Sequence, residues 1–166
     1  MNVFEWQAQV LTEMGNQLAH ALATTHVDRL DWKPSTEASS QTRSALDQAA
    51  ECIDINRRYA SLLRGETPDA PCFDWPFRTP EDAIQLIRNS AQELASAVRN
   101  LDDQALMRPY DTGVGVIPGA IVLQFAASNM AYHIGQINFI QTLYGDTEFR
   151  LPLPQGHLVE AMAAAT

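Results

Sequence analysis

The sequence has 166 residues, of which 46% are apolar, with 20 acidic and 11 basic side chains and a formal net charge of -9. This length and composition are typical of one folded domain with a sizeable core, and they exclude a disordered chain. Its acidity, and the lack of any basic cluster larger than Arg57 with Arg58, argue against binding to nucleic acid or to an anionic membrane surface. We therefore expect a single domain over residues 1–166 that binds neither.

The start of the chain and its cysteines predict a reduced, cytoplasmic setting. The first residues form neither a basic segment nor the continuous apolar stretch of a secretion signal. The longest apolar stretch, around residues 117–127, is interrupted by a proline, a glycine and a glutamine and falls short of the ~20 apolar residues that cross a bilayer. Only two cysteines occur, so we expect no disulfide bond.

In the first half of the chain, apolar residues recur at three- and four-residue steps, which is the period of an amphipathic helix. This pattern predicts a first helix over about residues 2–24. A connection rich in serine and threonine follows it to residue 41, with a short structured part around Leu30 to Trp32. A second helix is predicted to start near Ser44 and to stop at Gly65.

The second half of the chain is predicted to hold two further helices. Thr79, Pro80 and the two acidic residues after them form a strong start for a third helix, which reaches about Leu101. A loop or small hairpin around Tyr110 to Gly113 comes next. The fourth helix runs from Pro118 to Tyr144 and is the longest and most apolar, so we expect it to be central and mostly buried.

No convincing strand pattern accompanies these four helices, so they predict an all-α fold, namely a four-helix bundle. After the fourth helix, two prolines precede a short C-terminal helix that is predicted from His157 to Met162.

The fourth helix carries a polar stripe on an otherwise apolar sequence. Asn129, His133 and Gln136 fall within an arc of about 60° around the helix axis. A histidine among apolar residues needs a hydrogen-bond partner or a metal. Gln136 either orients His133 or faces a neighbouring helix, and we favour the second alternative. Gly135 is expected to permit the close approach of another helix.

Several short motifs follow one another in the order found in a known family. They are Trp32-Lys33-Pro34, Ser44 followed seven residues later by Glu51, Asn56-Arg57-Arg58, and Asn129 followed by His133, Gly135 and Gln136. With these motifs the chain resembles the DinB-like (DinB/YfiT) superfamily of bacterial four-helix bundles over nearly its whole length. The resemblance implies the bundle fold and a homodimer.

The resemblance also implies a metal site. In the family, three histidines commonly bind a divalent metal, one on the second helix and two on the last long helix. The corresponding positions here are Glu51, Asn129 and His133, so only one of the three is a histidine. One imidazole, one carboxylate and one amide oxygen, completed by water, can hold Zn, Ni, Mn or Fe, although more weakly than three imidazoles. A shift of one residue would replace Glu51 by Cys52 and favour Zn, and both registers stay open.

Two functions of different classes follow from these residues. The first is a metal-dependent enzyme similar to the thiol-transferring members of the superfamily, in which the metal activates a thiol or water. The second is a non-catalytic homodimeric bundle that binds a small molecule or a protein partner beside His133 without metal. In that case Glu51, Asn129 and His133 form a hydrogen-bond network. The sequence does not decide between the two.

Other residues of the second helix are assigned structural roles. Cys52 is expected to be a small core residue rather than a nucleophile, and Asn56 a hydrogen-bonded core amide. Asp54 and Arg58 are four residues apart and are expected to form a solvated ion pair with no role in chemistry.

Overall fold

The computed structural model describes residues 2–37, 41–72, 74–113 and 115–148. Their elements, in chain order, are α1 (Val3–Ala23), a short 3-10 helix (Val27–Arg29), α2 (Ala45–Leu63), α3 (Pro80–Arg99), β1 (Pro109–Asp111), β2 (Val116–Pro118) and α4 (Gly119–Leu143). The predicted all-α fold with four long helices is confirmed, and each helix ends within two residues of its predicted bound. The C-terminal helix predicted from His157 to Met162 lies outside the described residues.

The first three helices begin at side chains that cap their free amides. Asn2 accepts a hydrogen bond from the first turn of α1. Ser44 and Asp47 form a reciprocal capping box at the start of α2. Thr79 caps α3, and Pro80 occupies the first turn, where its missing N–H costs nothing. The local sequence therefore fixes where these helices start.

A β1–β2 hairpin leads the chain into α4. The two strands pair antiparallel, and their turn contains Gly113 at a φ of +82°. No side chain caps α4; instead the N–H groups of Gly119 and Ala120 donate to the carbonyls of Arg108 and Leu106 at 3.0 and 2.9 Å. The hairpin thus fixes the start of the helix that carries the polar stripe.

The packing order of the helices decides where the connections run. α1 and α2 each pack against α3 and α4 and lie diagonally opposite one another in the bundle. The connection from α1 to α2 therefore has to cross the end of the bundle, which explains its length. It brings Pro34, Thr42 and Arg43 beside the facing surfaces of α2 and α4.

α1 and α3 approach each other closely at a glycine of α1. A Cβ at Gly15 would overlap that of Ala91 on α3, so only glycine fits there without a shift of the helices. The prediction that Gly135 has this role within the chain is wrong. Gly135 is exposed, and a Cβ built on it would meet no atom of the described residues within 4 Å.

One side of α4 is much more exposed than its sequence predicts. Phe125, Tyr132, Phe139 and Leu143 are 51%, 63%, 62% and 47% exposed, whereas Met130 and Ile137 on the opposite side are fully buried. We call these four exposed residues the outer face of α4. The helix contains no Asp, Glu, Lys or Arg along its 25 residues. None of the described helices is both long and apolar enough to span a membrane.

Asp47 joins three segments at the start of α2. Its carboxylate accepts hydrogen bonds of 2.9 Å from the Ser44 N–H, from Lys33 Nζ and from Trp75 Nε1, and Trp75 stacks on Phe77. Partial burial acts to raise the pKa of Asp47, but these hydrogen bonds outweigh it, so the pKa lies below its ordinary value of 3.8. The charged carboxylate therefore stabilises the fold.

Replacement of Asp47 by Asn should lower the free energy of unfolding at neutral pH by about 1–3 kcal/mol, because three charge-assisted hydrogen bonds are weakened. Since the folded pKa is depressed, the stabilisation exists above the unfolded-state pKa and is lost as pH falls through the folded value. Urea unfolding of native and variant chains at several pH values measures this. Asp103→Asn, which removes an exposed carboxylate, is the control. If the variant were less stable than the native chain by the same free energy at the lowest pH as at neutral pH, the stabilising role of the charged Asp47 carboxylate would be contradicted.

Candidate functional site

A cavity of about 480 Å³ lies between α2, α4 and the connection that precedes α2. We call it the His133 cavity. Its polar lining includes Arg43, Gln48, Glu51, His133 and Gln136, and its apolar lining consists of Pro34, Tyr132, Phe139, Ile140 and Leu143. The cavity therefore combines a small polar group of side chains with a larger apolar wall, as many small-molecule sites do.

His133 lies at the bottom of this cavity and is only 2% exposed. Its Nδ1 lies 2.5 Å from Gln48 Oε1, and its Nε2 lies 3.4 Å from Glu51 Oε1 with no hydrogen-bond partner in the described part of the chain. Burial lowers the pKa of His133; Gln136, as a hydrogen-bond partner of the charged ring, acts in the opposite direction, and the positive charge of Arg43 lowers it further. Burial therefore favours the neutral form of the imidazole.

Glu51 connects His133 to a cation. One carboxylate oxygen faces the imidazole, and the other pairs with Nη1 of Arg43. The Glu51 side chain is 19% exposed, whereas Arg43 is 45% exposed and lies nearer the mouth of the cavity. An imidazole, a carboxylate and a guanidinium thus follow one another from the bottom of the cavity to its mouth.

The structure distinguishes the two registers that the sequence left open. Glu51 is the residue that faces His133. Cys52 is fully buried, as predicted for a core residue, and burial raises the pKa of its thiol far above the ordinary value. Asn129 turns its amide towards Cys52, with Nδ2 3.7 Å from Sγ. It lines a separate cavity of about 250 Å³, beside Tyr59.

Of the three predicted ligands, Glu51 and His133 are therefore brought together, whereas Asn129 bonds to a different side chain. Gln136 lines the His133 cavity, and its Oε1 has no other hydrogen-bond partner in the described chain. It acts on the pKa of His133 as a hydrogen-bond partner of the charged imidazole, which supports the alternative that Gln136 orients His133.

Sequence reasoning missed Gln48 and Arg43. Gln48 is 3% exposed and lies on the same side of α2 as Glu51, three residues earlier. A signal was present, because Gln48 stands among four buried apolar residues, Ala45, Leu46, Ala49 and Ala50. Arg43 precedes the helix, and no periodic pattern could have placed it.

Further along α2, one structural assignment is confirmed in part and one is wrong. Asn56 is fully buried and its Nδ2 donates to side chains of α3 and α4, but its Oδ1 has no hydrogen-bond partner in the described chain. Asp54 and Arg58 are not a solvated pair, since their side chains are only 14% and 15% exposed. Asp54 accepts from the N–H of Cys72, and Arg58 donates to the carbonyl of Asp69, so the pair anchors the loop between α2 and α3.

The residues of the His133 cavity fit a metal only in part. Within the described ranges, no three His, Cys, Asp or Glu side chains lie close enough together to hold a metal ion. His133 and Glu51 do fit: two ligand atoms about 2.1 Å from one metal, at a tetrahedral angle, lie about 3.4 Å apart. The separation of Nε2 and Oε1 is 3.4 Å. Amide oxygens or water would have to complete such a site.

Comparison with known proteins gives one consistent result. A sequence profile described as the DinB superfamily matches residues 11–137. The fold is similar to crystal structures of a DinB-like protein from Bacillus subtilis (19% identity, 94% of this chain and 100% of that chain, TM-score 0.64) and of another from Bacillus cereus (16%, 91% and 95%, 0.64). A conserved protein from Enterococcus faecalis is also similar (16%, 86% and 97%, 0.60). No curated protein matches the sequence significantly.

The burial of the two thiols predicts their reactivity. Cys72 is exposed and Cys52 is buried, so a thiol reagent such as DTNB should label one thiol per folded chain quickly and the second only upon unfolding. Cys72→Ser should remove the fast reaction, and Cys52→Ala should leave it intact. Two fast thiols in the folded chain would show that Cys52 is accessible and would refute its place in the core.

Proposed function

Because this chain belongs to the DinB superfamily, we propose that the His133 cavity is a divalent-metal site with His133 and Glu51 as protein ligands. The bound metal would activate a thiol or a water molecule, as in the thiol-transferring enzymes that the chain resembles. One observation supports this most strongly. A neutral, buried imidazole presents a bare Nε2 to a carboxylate oxygen at 3.4 Å, and two acceptors in such proximity favour a cation between them.

Two amides compete for a third ligand position. Asn129, which corresponds to a ligand position of the family, lies four residues before His133 but donates to Cys52. Gln136 lies three residues after His133 in the same cavity, and its Oε1 has no partner in the hydrogen bonds of the described residues. The geometry thus favours Gln136, with water in the remaining positions. This mixed nitrogen and oxygen set suits Zn, Ni, Mn or Fe.

The rest of the lining suits a small molecule with an apolar body and an anionic group. Tyr132, Phe139 and Leu143 supply apolar surface on one side of the cavity. Arg43, near the mouth, carries a guanidinium that can attract a thiolate or carboxylate. These residues bind and orient the substrate, while Glu51 balances the charge of Arg43.

Elemental analysis of untagged protein tests the metal site, after incubation with Zn, Ni or Mn and dialysis. We expect near one metal per native chain and almost none in His133→Ala, with an unchanged helical circular dichroism spectrum. His26→Ala, at an exposed position, should retain the metal. Gln136→Ala should weaken binding more than Asn129→Ala does. A native chain without metal would refute the proposal and favour metal-free ligand binding.

A homodimer is the second part of this proposal, and it is also required by the alternative function, a non-catalytic bundle that binds a ligand or partner without metal. The outer face of α4 supports it. Its rings Phe125, Tyr132 and Phe139 recur at seven-residue steps, which places them along one line of the helix. On a chain with a net charge of -9, this helix brings no Asp, Glu, Lys or Arg into the contact, so no like-charged side chains of α4 oppose each other there. Gly135, next to these rings, leaves room for a second helix.

We expect native protein to have twice the 18.4 kDa mass of one chain in sedimentation equilibrium. The variant Phe139→Glu should have the mass of one chain, because the new carboxylate would be buried in the contact between the two copies. Met107→Glu places the same charge at a residue that is 79% exposed and off this face, and should leave the dimer intact. A native monomer, or equal dissociation of both variants, would refute α4 as the dimer surface.

A further inference from the structure

Gln48 lies in contact with His133 from a different helix, and its chemistry decides which ring nitrogen carries the proton. A neutral imidazole has one N–H and one bare nitrogen. Gln48 turns its Oε1 to the ring, 2.5 Å from Nδ1, and an amide oxygen accepts a hydrogen bond, whereas the amide NH2 would donate one. In this orientation of the amide the proton lies on Nδ1, which leaves Nε2 bare.

The alternative tautomer would leave neither His133 Nε2 nor Glu51 Oε1 available as an acceptor for a cation. With the proton on Nε2, His133 would donate to Glu51 Oε1, and both groups would be satisfied without any ligand. This would be the favoured arrangement if nothing held the proton on Nδ1, because a buried acceptor without a partner is costly. The contact from Gln48 opposes it.

From these contacts we infer that Gln48 is a positioning residue, which holds the Nδ1–H tautomer of His133 and so keeps Nε2 and Glu51 available as a pair of acceptors for a cation. Gln48 belongs to the lining of the cavity, and it exerts this role through His133. Its effect on metal affinity rests on the proposed function, whereas its effect on the tautomer does not.

The burial of Gln48 makes this role specific. The side chain is 3% exposed, and it lies on α2 one turn before Glu51, so both act on the same ring from the same helix. Water has little access to compete for Nδ1, since His133 is 2% exposed. The same α2–α4 packing that buries the ring therefore also orients it.

The tautomer can be read directly in metal-free protein by ¹⁵N–¹H correlation spectra of the histidine rings at mildly alkaline pH. The chain has four histidines, and the signal that disappears in His133→Ala identifies the ring. We expect native His133 to carry its proton on Nδ1. We expect Gln48→Leu, which removes the acceptor but keeps an apolar side chain of similar size, to move the proton to Nε2.

Gln48→Glu is the matched control, because a carboxylate keeps an acceptor at the same place and should keep the proton on Nδ1. In metal titrations, Gln48→Leu should weaken Zn binding by about 10–100-fold, and Gln48→Glu should retain it. The inference would be overturned if native His133 carried its proton on Nε2, or if the tautomer were unchanged in folded Gln48→Leu. Either result would hold independently of the Zn affinities. If Gln48→Leu does not fold, Gln48→Met repeats the test, because a thioether is only a weak acceptor and the side chain is of similar size.

An Nδ1–H signal in native protein that binds no metal would separate the two questions. It would support the role of Gln48 and refute the metal site of the proposed function. The opposite result, metal binding with the proton on Nε2 in the metal-free chain, would leave the metal site standing and remove Gln48 from it.

Discussion

The burial of His133 between α2 and α4 is the constraint on which the site depends. A neutral imidazole brings one donor and one acceptor into a region that water hardly reaches, and each needs a partner. Gln48 satisfies the donor across the helix interface, at 2.5 Å. The acceptor, Nε2, faces the carboxylate of Glu51, which is also an acceptor. The fold thus sets two acceptors against each other without a described donor between them, while the guanidinium of Arg43 pairs with the other oxygen of Glu51.

The packing order of the helices explains why the site has a mouth of its own. Because α1 and α2 lie diagonally opposite, their connection crosses the end of the bundle and passes over the start of α2. There Lys33 pairs with Asp47 at 2.9 Å, and Arg43 pairs with Glu51. Asp47 therefore has two functions: it completes the capping box that starts α2, and through Lys33 it holds the connection that also carries Arg43. The start of α2 and the position of the Arg43 charge beside the cavity thus depend on the same residue.

Local sequence predicted the helices and one essential requirement of the site, but not the contacts between helices. Apolar periodicity and the caps at Ser44 and Thr79 depend on neighbouring residues, so they placed the helices within two residues. The apolar surroundings of His133 showed that it needs a partner. The partner itself, Gln48, depends on how α2 and α4 are rotated against each other, which no local pattern encodes. The same rotation decides between Glu51 and Cys52, since adjacent positions differ by about 100° around the helix.

The exposure of α4 is the second point that sequence could not settle, and it bears on function. A helix that is apolar on all sides is normally buried on all sides. In the bundle, α4 buries only one side, and the outer face stays exposed. Tyr132, Phe139 and Leu143 belong both to this face and to the wall of the His133 cavity. A second copy packed on this face would therefore contribute to the wall of the cavity and narrow its mouth. Association and ligand access would then be linked thermodynamically, because a ligand that needs a closed wall binds the dimer more tightly and so favours it.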